Sequence, residues 1–141
     1  MNASTVIATI LRHDKKIASY KIALIRSISD VALAYSHIGA TTSAVAVPLR
    51  MLAAYWVAYY WAFIDPKAPV IQGQQASGKY DIAFRPMLSA MRVEWEKIVG
   101  KSQPADGFYL LGEMLSERGR KSYPPALIDA FKATVKAMVT A

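Results

Sequence analysis

Apolar residues recur at helical spacing along most of the chain, and strand-like alternation is missing outside a few residues near "PVIQG". The clearest repeat runs through Leu49, Leu52, Ala53, Trp56, Tyr59 or Tyr60, and Phe63. Pro48 suits the first turn of that helix, where a missing N–H costs nothing. Asp65-Pro66 ends it, because the residue before a proline is pushed out of the α region. The segment is apolar almost all round, which predicts a central helix covered by neighbours on several sides. Upstream, Ser19 is a plausible N-cap for "YKIALIRSISDVALAYS". Its predicted inward stripe is Tyr20, Leu24, Ile28, Val31 and Tyr35, with Ala23 and Ala32 on the flank. Asn2 to Leu11 predicts a short first helix capped near Ser4 or Thr5, and "HIGATTSAVA" reads as a loop.

Downstream, Asp65 to Asp81 is the longest non-helical segment, with two prolines and two glycines. A helix is expected over Phe84–Val99, with Pro86 in its first turn, Met87, Met91, Trp95 and Ile98 on one face, and Gly100 as its stop. Another is expected over Asp106–Arg118, with Phe108, Leu111 and Leu115 inward and Gly119 closing it. "RGRKSYPP" reads as a basic turn. A last helix, "ALIDAFKATVKAMV", carries Leu127, Phe131, Val135 and Met138. The fold class is all-α: one domain over residues 1–141, a bundle of five or six helices around the aromatic one.

That aromatic segment holds Tyr55, Trp56, Tyr59, Tyr60, Trp61 and Phe63 within nine residues, a density compatible with a membrane span, a base-stacking surface or a core helix. A membrane span needs about 20 apolar residues. Only fourteen lie between Arg50 and Asp65, and Arg50, Pro48 and "TTSA" block an upstream extension. Base stacking wants cations interleaved with the rings, and no Lys or Arg lies between Met51 and Ile64. A core helix fits best. It predicts that Trp56 and Tyr60 or Tyr59 are buried, and that buried hydroxyls and indole N–H groups find partners.

Charge adds a direction. The net charge is +7; residues 1–60 hold six Lys/Arg and two acids, whereas residues 61–141 hold eleven and eight. A basic balance favours polyanionic partners. There is no cysteine, hence no disulfide or thiolate nucleophile, and no secretory signal is read, so a cytoplasmic setting is expected. Catalytic chemistry is poorly supplied. His13 and His37 lack a second ligand at helical spacing, and Glu94 and Glu96 point to different helix faces. Glu113 and Glu117 share a face but have Arg118, Arg120 and Lys121 as natural partners. "GQQASGK", Gly73 to Lys79, has phosphate-loop spacing, but Tyr80 stands where the magnesium-binding hydroxyl belongs. No cofactor and no metal is expected.

Three stretches carry a likeness: "SYKIALIRSISDVAL", "VPLRMLAAYWVAYYWAFID" and "PVIQGQ…DIAFRP". Over roughly residues 11–99 the chain resembles the N-terminal helical region of bacterial HNH-type endonucleases, restriction-like or defence-associated. In that family a ββα-metal nuclease with a histidine base lies further along. Here no histidine follows Val99, so no catalytic residue carries over, and the chain is expected to be either an excised domain or a standalone relative. The resemblance implies a non-catalytic module that contacts DNA or positions a nuclease domain in the same or another chain. The alternative is an interaction or homodimerisation domain without DNA affinity. Candidate DNA-binding residues are Arg12, Lys15, Lys16, Lys21, Arg26, Arg50 and Arg85, with Arg12, Lys15, Lys16 and Lys21 expected to form one basic surface. Arg50 and Arg85 sit in first turns, where a cation opposes the helix dipole. Each is expected either to pair with Asp65 or Asp81 or to serve a ligand.

Overall fold

The computed structural model describes residues 5, 19–36, 46–71 and 81–141. Among them the chain forms six α-helices and no strand: α1 (Tyr20–Ala34), α2 (Leu49–Tyr60), α3 (Arg85–Val99), α4 (Asp106–Leu115), α5 (Glu117–Ser122) and α6 (Pro125–Val139). The fold is a small all-α bundle. The first helix expected before α1 lies outside the described residues, as do His13, His37 and most of the glycine-rich loop. No helix among the described residues is long and apolar enough to cross a membrane.

Helix α2 is the centre, packing against α1, α4 and α6, while α3 packs on α6. Seven of its twelve residues are buried, Trp56 and Tyr60 among them. It does not run unbroken to Asp65. A 3-10 turn, Trp61–Ile64, tightens its end before Asp65 goes extended ahead of Pro66. This turn buries the Trp61 and Ile64 side chains. Tyr20, Trp56, Tyr60 and Phe84 form an aromatic cluster with centroids 4.9–6.5 Å apart, which ties α1 and the start of α3 to α2. Most of its polar edges are satisfied. The Tyr60 and Ser19 hydroxyls are 2.6 Å apart, the Ala83 N–H donates to the Tyr20 hydroxyl, and the Trp61 indole N–H donates to Ser102 Oγ at 2.9 Å. Among the described residues, the Trp56 indole N–H alone is buried without a partner.

Three inward faces differ from those the periodicity predicts. On α1 the buried residues are Ala23, Ser27 and Val31; Leu24 and Ile28 are exposed, Ile28 by 51%. Small side chains make this contact, and hydropathy alone gives small residues little weight. Ser27 is accommodated because its hydroxyl donates to Leu24 O within the helix. On α3, Leu88, Met91, Arg92 and Trp95 are buried, and Met87 and Ile98 face out. On α4, Gly107, Leu110, Leu111 and Met114 are buried, whereas Phe108 and Leu115 are exposed. Gly107 permits the contact: a Cβ there would stand 2.5 Å from Trp61 Cβ. Helix α4 also stops at Leu115, short of Arg118. Ser116 then caps α5, its Oγ accepting from the Gly119 N–H at 2.9 Å. The "basic turn" is therefore largely a short helix. Gly100, at φ +83°, ends α3 as expected.

Candidate functional site

The predicted site residues do not gather in one place. Arg12, Lys15 and Lys16 lie outside the described residues, so the expected basic surface with Lys21 is not on view; Lys21 itself is exposed on α1. Arg85 is a clamp. Its Nε and Nη2 donate to the two Asp81 oxygens, Nη1 donates to Phe63 O, and Nη2 also donates to Val70 O. One guanidinium thus joins both ends of the 65–81 segment to the end of the aromatic helix. Of the two roles expected for Arg85, pairing with Asp81 is the one observed. Asp65 is taken by Arg92, 4.0 Å away, which also donates to Glu96.

Arg26 has a different setting. Its guanidinium lies 4.2 Å from the Tyr59 ring centroid and 5.8 Å from that of Phe108, and it pairs with Asp30 at 3.6 Å. The Tyr59 hydroxyl donates to the same Asp30 carboxylate. Burial first, then this hydrogen bond, pushes the Tyr59 phenol well above its ordinary value. The cation missing from the aromatic segment in sequence is supplied by α1 in space. Tyr59 is already covered and hydrogen-bonded, however, which leaves Phe108, 50% exposed, as the open ring of this cluster.

Arg50 stands at a groove. The start of α2, the end of α4, α5 and one face of α6 enclose an open cavity of about 590 Å³. Met51, Met114, Ile128, Phe131, Val135 and Val139 supply its apolar lining. Four cations also line it: Arg50, Arg120, Lys132 and Lys136, all on exposed residues. None of the described lining residues is acidic. Arg120 is held in place by donating to Met114 O at 3.1 Å. Arg50, Lys132 and Lys136 take part in no ion pair among the described residues. Sequence reasoning found Arg50 and missed the other three. The available signal was the i, i+4 pair Lys132 and Lys136 beside Ile128, Phe131, Val135 and Val139 on one helix.

Among the described residues, no group of three His, Asp or Glu side chains is placed to hold a metal ion. What the arrangement does offer is a binding surface: apolar at the bottom, uniformly positive at the edge, and open to solvent.

The fold is a small helical domain that carries a concave groove between α2, α4, α5 and α6. The chain belongs to the DUF8808 family, described as a domain of unknown function, whose model matches residues 1–141. No curated protein and no solved structure matches it.

Proposed function

We propose that the domain is a non-catalytic helical module that positions a nuclease of the HNH type, in a cytoplasmic setting, and that the groove between α2, α4, α5 and α6 is its contact surface. The observation carrying this reading is the combination of an apolar floor with four cations and no acid among the described residues that line one groove. Such a surface favours a complementary partner, because four like charges are held together beside the half-buried side chains of Met51, Ile128, Phe131 and Val139. The nuclease connection rests on the likeness of residues 11–99 to the helical region that accompanies HNH endonucleases.

Incubation of the purified chain with supercoiled plasmid and Mg²⁺, Mn²⁺ or Zn²⁺ tests the non-catalytic part. The plasmid stays supercoiled; nicking that copurifies with the chain and survives fresh preparation refutes it. The net charge of +7 and three rim cations, Arg50, Lys132 and Lys136, that enter no ion pair among the described residues favour a second reading, direct phosphate contact. That reading predicts duplex affinity that falls steeply with salt, by a slope of about −0.9 for each phosphate neutralised. Charge reversal at Lys132 and Lys136 would then lower the slope by about 2.

A further inference from the structure

We infer that the groove receives an amphipathic α-helix with acidic flanks, supplied by a partner protein; the inference rests on the reading of the groove as the contact surface. Three features of the groove point to this occupant. The first is length. Its α6 wall runs from Ile128 to Thr140, which is about 18 Å at helical rise, or a little over three turns. The second is periodicity. Ile128, Phe131, Val135 and Val139 recur at three- and four-residue steps along that wall, and Met51 and Met114 stand opposite on other elements. A helix laid in such a groove offers its own apolar residues at matching steps. Half-buried Met51 suits it, since a flexible thioether chain adapts to irregular apolar partners, while Met114 is buried beneath.

The third is charge. Rim cations come from three elements, Arg50 on α2, Arg120 on α5 and Lys132 with Lys136 on α6, so they flank the floor and do not form one isolated pair. A partner with Asp or Glu beside its apolar stripe meets them on its flanks, whereas a basic partner is repelled. Duplex DNA satisfies the rim and leaves the floor uncovered, because its backbone presents charge and no apolar stripe. A small anionic amphiphile brings one charged group and answers only part of a rim whose four cations come from three elements.

The test uses the whole chain and three fluorescein-labelled peptides of about 14 residues, roughly 21 Å as helices. One has Leu at i, i+3, i+4 and i+7 with Glu on both flanks; the second has the same composition scrambled; the third carries Lys in place of Glu. Anisotropy titrations should show the acidic amphipathic peptide binding at least about tenfold tighter than either control, about 1.4 kcal/mol. In the double variant Lys132→Glu/Lys136→Glu, whose positions are exposed and enter no ion pair among the described residues, the preference should pass to the Lys-flanked peptide. A scrambled peptide that binds equally well, with both weakened by the double variant, overturns the helix and leaves the groove as a surface. Peptide and duplex binding that both ignore the double variant overturn the groove reading as well. Duplex binding abolished by the variant, with no peptide bound, makes the groove a nucleic-acid surface and overturns the inference.

Discussion

Replacing Arg85 separates its two candidate roles, phosphate ligand and structural clamp, with one stability measurement. The guanidinium makes four hydrogen bonds: two to Asp81, one to Phe63 O and one to Val70 O. Charged hydrogen bonds contribute about 1.5–3 kcal/mol each in favourable sites. Simple addition overstates the loss, because the bonds share one donor group, water can replace part of them, and both side chains are 20% exposed. Arg85→Ala should therefore destabilise the domain by about 2–4 kcal/mol. For a chain of this size that lowers Tm by roughly 6–15 °C. Arg85→Lys keeps the charge but cannot make the forked contact to Asp81 while also reaching two carbonyls, so it should lose about half as much or more. Urea denaturation followed by tryptophan fluorescence gives both values. A double-mutant cycle with Asp81→Asn should return a coupling of about 1 kcal/mol or more. Arg85 is no clamp if Arg85→Ala stays within about 0.5 kcal/mol of wild type, the usual range for an uninvolved surface residue. The same follows if Arg85→Lys is fully stable.

Other substitutions probe the core. Gly107→Ala forces a Cβ to 2.5 Å from Trp61 Cβ and 3.0 Å from Ala58 Cα, and should cost about 1–3 kcal/mol, whereas Gly112→Ala on the same helix meets nothing within 4 Å and should stabilise by about 0.5–1 kcal/mol; paired thermal melts read the opposite signs. Ser102→Ala leaves the Trp61 indole N–H buried without its acceptor and should cost about 1–3 kcal/mol, with an altered near-ultraviolet tryptophan spectrum. Burial pushes the Tyr60 phenol up to about 12, against the opposing hydrogen bond from Ser19. Because the folded value is raised, the associated stability is present below pH 10 and is lost as pH rises from 10 to 12, at about 1.4 kcal/mol per unit of difference. Denaturation midpoints at pH 8.5 and 11 check this, and Tyr60→Phe should flatten the decline.

Much of the bundle was legible because its elements are long and strongly punctuated. Pro48 and Asp65-Pro66 bracket the aromatic helix, Gly100 ends α3, and the uncharged run at Met51–Ile64 marks the centre of the fold. What periodicity missed is which side of a helix faces in. On α1 and α4 the contacts are made by Ala23, Ser27 and Gly107, and a reading that ranks residues by hydropathy passes over them in favour of Leu24, Ile28 and Phe108. Close approach of two backbones rewards small residues, and only the partner helix shows where that approach occurs. The site was less legible for the same reason. The Asp81 partner of Arg85 was among the roles expected for it, but its carbonyl acceptors, Phe63 O and Val70 O, carry no side-chain signature. The groove joins residues from Pro48 to Thr140, and its rim is a cluster only after α6 folds back beside α2.

The most direct test of the groove as contact surface is amide chemical-shift mapping of the ¹⁵N-labelled chain during titration with the acidic amphipathic peptide. Saturable shifts centred on Arg50, Met114, Lys132, Val135 and Lys136 are expected. Shifts confined to the outer face of α1 or to the Arg26–Phe108 cluster, with the groove silent, would contradict the groove reading.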